Sequence, residues 1–283
     1  MTGPFNLIIR GKYFINTGYG FFLVQILKIT PLIVRLPWGG FWICRNNVMG
    51  KNILLKNTFL EGEWKFVSQY LKEKMTFFDV GANEGFYTLL ASKKIGKMGQ
   101  IISFEPSERE LNRLKLHLKF NRCENVTVEP VALSDMQQSS ELFVCMGQET
   151  GCNSLRPPDV SDDINKVKVC ISTLDIYAYQ HNLENMDFIK VDIEGAELNF
   201  LKGATKCIDR FRPIILCEIS DIRTSPWGYK AQEIFDFLER MGYIFHNISQ
   251  NGKLSKYIRE SKYNENYVAI PQEKIWDMTQ YLI

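Results

Sequence analysis

Residues 76–85 read Thr76-Phe77-Phe78-Asp79-Val80-Gly81-Ala82-Asn83-Glu84-Gly85, and Phe86-Tyr87-Thr88-Leu89-Leu90-Ala91 follows directly. The apolar run closing at Val80 predicts a buried parallel strand, the two glycines a turn, and the return of apolar residues at helical spacing a helix. Such a turn sets the free N–H groups and partial positive charge of a helix N-terminus beside the C-terminal end of a central strand, where anionic parts of a ligand settle. Glycine is required because a Cβ would oppose both positive φ angles and a ligand's approach to the backbone. The spacing is G-x-x-x-G, not the G-x-G-x-x-G that receives a pyrophosphate, so a dinucleotide is not the first choice. Taken alone, the stretch is equally a strand-to-helix turn that holds nothing.

Downstream, Gln100-Ile101-Ile102-Ser103-Phe104 predicts a second buried strand ending at Glu105-Pro106. Glu105 stands twenty positions beyond Gly85, the offset at which α/β nucleotide sites present an acid to ribose hydroxyls. Ser107-Glu108-Arg109-Glu110 reads as a capping box opening a helix with Leu111, Leu114 and Leu118 on its apolar stripe, which makes His117 a structural or surface residue. Val126 to Asp135 reads as a third strand. Residues 136–172 then interrupt the βα rhythm, with Glu141–Cys145 and Val167–Ser172 as a hairpin and Asn153 and Ser154 as candidate ligand contacts in its long loop.

The strand-to-glycine design recurs in Met186-Asp187-Phe188-Ile189-Lys190-Val191-Asp192-Ile193-Glu194-Gly195. Lys190, Asp192 and Glu194 alternate and share a face if the strand is regular. Three charges there must pair, meet solvent in a cleft or bind something; a Lys190 to Glu194 pair is the structural account. A helix over 196–210 leads to the strand Pro213–Ser220, which again carries an acid, Glu218, near its end. Parallel strands gather their C-terminal ends, so Asp79, Glu105, Asp192 and Glu218 are expected at one edge. A helix over 230–241 and closing strands at Tyr243–Ile248 and Tyr267–Ile270 complete the pattern, with His246 placed in that sheet.

The chain has 283 residues, 45% hydrophobic and 23% charged, with net charge +2. These values fit one α/β domain with an added N-terminal segment and give no reason to invoke nucleic acid. Seven cysteines without a C-x-x-C pair suggest free, mostly buried thiols in a reducing, cytoplasmic setting, and exclude a zinc site of the usual spacing. The apolar run Gly20–Val34 is broken by Gln25, Lys28 and Pro31 and is too short to span a bilayer. It reads as a helix packed on the domain, with Arg10, Lys12, Lys28 and Arg35 raising the alternative of peripheral membrane contact through residues 19–36. Phe41 to Leu60 reads as short strands around Asn46-Asn47 and Lys56-Asn57, and Glu63–Leu71 as a lead-in helix.

Together the motifs Phe78–Gly85, Phe104-Glu105-Pro106, Ala132-Leu133-Ser134-Asp135, Thr173-Leu174-Asp175, Ile189–Glu197 and Leu201-Lys202-Gly203-Ala204 resemble the FkbM family of S-adenosylmethionine-dependent methyltransferases. The resemblance covers roughly residues 76–220 and implies an α/β, Rossmann-like, seven-stranded class I methyltransferase sheet, mostly parallel with a C-terminal antiparallel hairpin. It divides the chain into an extension over 1–72 and a methyltransferase domain over 73–283, with 136–172 as an insertion. It implies S-adenosyl-L-methionine as cofactor and a hydroxyl on a sugar, glycan or secondary metabolite as acceptor. Asp79, Gly81, Ala82, Asn83, Gly85, Glu105, Pro106, Ala132, Leu133 and Asp192 become cofactor-binding candidates: Gly81 and Gly85 admit the methionine part, Glu105 the ribose, Ala132 and Leu133 the adenine. Asp192, Glu194 and Glu218 are candidate bases, with Lys190 as their electrostatic partner. No metal is assigned, although such carboxylates suit a hard cation such as Mg²⁺. An NAD-dependent or nucleotide-sugar oxidoreductase, and a catalytically silent binding scaffold, remain as other classes.

Overall fold

The computed structural model describes residues 8–10, 18–56, 60–259 and 262–283. The extension comprises β1 (Ile8–Arg10), α1 (Gly18–Leu27), β2 (Leu32–Arg35), β3 (Phe41–Cys44), α2 (Val48–Lys56) and α3 (Glu61–Tyr70). There follow β4 (Thr76–Val80), α4 (Phe86–Ile95), β5 (Gln100–Phe104), α5 (Glu108–Phe120), β6 (Val126–Glu129), β7 (Ala132–Leu133), β8 (Gln138–Cys145) and β9 (Ile164–Ser172). The second half runs through α6 (Leu174–Gln180), β10 (Phe188–Val191), α7 (Glu197–Gly203), α8 (Thr205–Phe211), β11 (Ile214–Ser220), α9 (Asp221–Thr224), α10 (Gln232–Arg240), β12 (Tyr243–Ile248), β13 (Leu254–Lys256) and β14 (Asn264–Pro271).

The central sheet has the order β13-β12-β14-β11-β10-β4-β5-β6. From β11 to β6 all pairings are parallel, whereas β14 runs antiparallel to both its neighbours. This is the mostly parallel sheet with an antiparallel C-terminal part that the resemblance implies. One short edge strand, β13, makes it eight strands where seven were expected. Winding proceeds outward from β4 through β5 and β6 on one side and through β10 and β11 on the other, so the crevice between β4 and β10 is the switch point where open α/β sheets bind ligands.

Period-two alternation sends Phe77, Phe188 and Ile214 to one face of the sheet and Phe78, Ile189 and Ile215 to the other. The first face is covered by α3, α4 and the extension, whose Leu23, Trp42 and Ile53 share its core; the second is covered by α7, α8 and α10. Hydrogen bonds fix the extension to α5. Asn121 pairs with the backbone of Phe41, both bonds at 2.7 Å, and His117 Nε2 accepts from Ile43 N at 3.2 Å. His117 Nδ1 therefore carries the proton and donates to Glu84 O at 2.8 Å, while burial lowers the imidazole pKa to about 4 and keeps it neutral.

Several expectations need correcting. The run 20–34 is a helix followed by a strand, divided near Pro31, which cannot continue a helix. Residues 48–56 are helical, not a strand: the Asn47 side chain accepts from Gly50 N at 2.7 Å, a helix cap misread as a turn; Asn57 of the second supposed turn lies outside the described residues, as does Lys12. The third strand stops at Glu129 because Pro130 has no N–H to give a ladder, and Ala132-Leu133 pairs instead with β9 in a separate sheet. The helix over 196–210 is two helices divided near Ala204, with Gly203 pressed on the backbone of Ser134, where a Cβ would lie 1.9 Å from the carbonyl oxygen. The capping box is also different: Ser107 Oγ donates to the Glu110 carboxylate, and Ser107 N donates to Glu105. All seven cysteines are free, and Cys170 is exposed.

Candidate active site

Two connected cavities open at the switch point. A narrow slot is walled by Val80, Gly81, Asn83, Glu105, Ala132 and Leu133, together with Asn153 and Ser154 of the insertion. It runs into a wider chamber of about 370 Å³, and Gly81, Asn83, Gly151, Asp192 and Glu194 line both. Chamber walls also come from Asp79, Ala82, Lys190, Glu218, Arg223 and Asn266, and from Val48, Met49 and Leu60 of the extension. The candidate carboxylates thus share one site: Glu105 on the slot, Asp79 and Glu218 on the chamber, Asp192 at the junction. Pro106 flanks Glu105 on the slot. Gly85 does not line either cavity; its φ of +90° caps α4 and a Cβ would strike Leu114 Cδ1 at 2.2 Å, so its role is packing, not admission of a ligand.

The turns after β4 and β10 are built alike. Gly81 (φ +79°) and Gly195 (φ +98°) take left-handed geometry, and each turn also holds a left-handed side-chain-bearing residue, Asn83 (φ 50°) and Glu194 (φ 55°). Such strain collects where ligands bind. The two turns touch: a Cβ on Gly81 would lie 2.0 Å from Asp192 O. Glu105, 5% exposed, accepts from Asn83 N and Ser107 N at 2.8 Å each. Each of its oxygens keeps one further hydrogen-bonding position free for a ligand. Burial outweighs these bonds and pushes its carboxyl up to about 8.

In the chamber, register places Lys190 beside Asp79 on adjacent strands. The Lys190 ammonium, 2% exposed, donates to Asp192 Oδ2 at 2.8 Å and lies 4.8 Å from the Tyr87 ring centroid. Burial alone would lower its pKa, but Asp192, Asp79 and Glu63 more than offset that, and it stays charged. Asp79 accepts from Thr88 Oγ1 at 2.6 Å. The Lys190 to Glu194 pair of the purely structural account does not form, because β10 ends at Val191; Glu194 instead meets Arg223 at 2.8 Å. Glu218 Oε2 and Asn266 Oδ1 are buried without hydrogen-bond partners among the described residues. Burial first, then the charge of Asp192, pushes Glu218 up to about 10. Oxygens of Asp192, Glu194 and Glu218 lie within 4.8 Å of one another, a spacing that suits a hard cation, yet Lys190 and Arg223 already supply opposing charge.

The model of the methyltransferase FkbM domain matches residues 79–245. The chain belongs to the FkbM methyltransferase family. Among curated proteins, this FkbM chain is 24% identical over 246 residues to the AMB antimetabolite synthetase AmbE of Pseudomonas aeruginosa, covering 75% of the chain but only 11% of that protein. Among solved structures it resembles an FkbM methyltransferase from Methylobacillus flagellatus KT (16% identity, TM-score 0.46, covering 89% of this chain and 59% of that one). It also resembles Aeropyrum pernix fibrillarin with natively bound S-adenosyl-L-methionine (13% identity, TM-score 0.41, 85% and 82% covered).

Sequence reasoning missed part of the FkbM chain's site. Glu63 accepts from Tyr87 Oη at 2.9 Å and Asn266 Nδ2 at 3.0 Å behind the chamber, and burial pushes it up to about 7. Glu84, 1% exposed, gathers Arg45, Asn47 and Arg113 at 3.2, 2.9 and 2.9 Å and so ties the glycine turn to the extension. Arg223, five residues past Glu218, had a signal in its position after a strand end.

Raised carboxyl pKa values make stability fall with alkalinity. Glu63, Glu105, Glu194, Glu197 and Glu218 hold protons in the fold to about 7, 8, 8, 7 and 10, whereas the unfolded chain releases them near 4.5. Their contribution is complete below the unfolded value and is lost as pH rises through the folded values. His117 acts oppositely but only below about 6.5. The ligand-free protein is therefore expected to melt at progressively lower temperature from pH 6.5 to 9, and Glu218→Gln to flatten that slope, as differential scanning fluorimetry across buffers will show.

Proposed function

We propose that this methyltransferase moves the methyl group of S-adenosyl-L-methionine to a hydroxyl of a small molecule or glycan. The observation that supports this most is the slot and chamber meeting at Asp192. The slot offers a buried acid, Glu105, for ribose hydroxyls and apolar walls from Ala132 and Leu133 for a purine. The chamber offers Asp79 for an ammonium group, and the unpartnered Glu218 and Asn266 oxygens suit a polar, hydroxylated acceptor. The donor set thus fits the cofactor, which when bound supplies an electrophilic methyl carried on a sulfonium.

Methyl transfer is an in-line displacement, so holding the acceptor oxygen in place accounts for several kcal/mol of the barrier. That oxygen must also lose its proton. Glu218 keeps its own through neutral pH and acts as a hydrogen-bond donor. Glu194 is occupied by Arg223. Asp192, at the junction and paired with the Lys190 ammonium, is left as the base, and Lys190 holds it in position.

Calorimetry with S-adenosylhomocysteine against NADH separates this reading from an oxidoreductase, binding of the former alone being expected. Glu105→Ala is expected to weaken S-adenosylhomocysteine by about 1–3 kcal/mol, the scale of leaving a buried hydrogen-bonding group without its partner. Unchanged affinity would remove its ribose role. Binding without turnover on a panel of hydroxylated acceptors would favour a silent scaffold.

A further inference from the structure

The charge of this chain is unevenly distributed. Its first 60 residues contain seven lysines and arginines and no aspartate or glutamate, although the whole chain carries 34 basic and 32 acidic residues. Arg45 is paired with Glu84, whereas Lys28, Arg35 and Lys56 are exposed and form no salt bridge among the described residues. The same segment exposes large apolar side chains. On α1, Leu23 and Leu27 turn inward at 1% and 3% exposure, while Phe21 and Phe22 stand out at 71% and 57%. Ile29, in the turn that continues the helix, is 87% exposed.

Helical spacing puts Phe21, Phe22, Gln25, Lys28 and Ile29 on one outward arc. Protruding aromatic and aliphatic groups in a segment that carries basic residues and no acid are the pattern of a helix that lies in a bilayer interface. The basic residues complement an anionic leaflet and the apolar ones enter its acyl boundary. At 10 residues α1 extends about 15 Å, half the hydrocarbon thickness, and among the described residues no helix is long and apolar enough to cross a membrane. It lies on the surface.

We propose that the outward face of α1 docks this enzyme on anionic lipid bilayers, with Phe21, Phe22 and Ile29 inserted and Lys28, Arg35 and Lys56 against the headgroups. The helix α2, which packs against α1, also gives Val48 and Met49 to the chamber, so membrane face and acceptor chamber meet through one element.

The test is flotation of the full chain with vesicles of phosphatidylcholine alone or with about a third phosphatidylglycerol, at low and high salt. Binding is expected to the anionic vesicles, to weaken with salt, and to fall about tenfold or more in the double variant Phe21→Ser, Phe22→Ser. Neither residue lines the cavities, so S-adenosylhomocysteine affinity and melting temperature are expected to stay unchanged. No flotation with anionic vesicles, or flotation that the variant leaves intact, overturns the proposal. Concentration-dependent dimerisation abolished by the variant would assign the face to a second copy, and retention by a nucleic-acid duplex instead of vesicles would assign the charge to a different polyanion; either result also overturns it.

Discussion

Asp192→Asn is expected to lower kcat by about 10²–10⁴-fold, the range a positioned general base contributes, while S-adenosylhomocysteine affinity changes only a few-fold. The amide keeps the shape of the side chain and can still accept from Lys190, so what is removed is the ability to take a proton. Asp192 is 30% exposed on its side chain, so the lost ion pair is partly compensated by solvent, and Asp79 remains beside the Lys190 ammonium. Calorimetry and single-turnover kinetics on the purified variant decide the matter. Equal loss of binding and turnover would mean that Asp192 serves the cofactor and that the proton goes elsewhere.

Gly81→Ala is expected to damage the fold and the site together. The left-handed φ of +79° costs an alanine about 1–2 kcal/mol, and its Cβ would lie 2.0 Å from Asp192 O. Neither side can yield easily, since Gly81 N donates to Phe104 O and Asp192 N to Val80 O, each at 3.1 Å. A drop of several degrees in melting temperature and loss of measurable S-adenosylhomocysteine binding should follow. Gly228→Ala is the control, because Gly228 has nearly the same φ, +77°, with nothing within 4 Å of the added carbon. Similar melting temperatures for the two variants would show that contact between the turns contributes nothing.

The parts of the fold legible in the sequence were those with a short period and a hard stop. The runs ending at Val80, Phe104 and Val191 are mostly apolar segments closed by acids or glycines, and each is a central parallel strand. The errors came from residues with two readings. Asn47 caps a helix although its sequence context suits a turn equally well, and Pro130, whose missing N–H breaks a ladder, stands inside an otherwise continuous strand pattern. Ser107 satisfies its neighbours differently from a capping box because the buried carboxylate of Glu105 takes its N–H. Within the site, strand-end acids announced themselves by position, but Glu63, Arg223 and Asn266 reach the chamber region from elements far apart in sequence, and no local pattern encodes that meeting.

Val48, Met49 and Leu60 wall the chamber from positions that precede the stretch matched by the FkbM domain model, which begins at Asp79. On the proposed reading, part of the wall that faces the acceptor is thus supplied from outside the stretch that carries the methyl-donor motifs. If the chamber takes the acceptor as proposed, a chimera carrying another relative's leading segment on this sheet is expected to keep its S-adenosylhomocysteine affinity while its acceptor preference shifts.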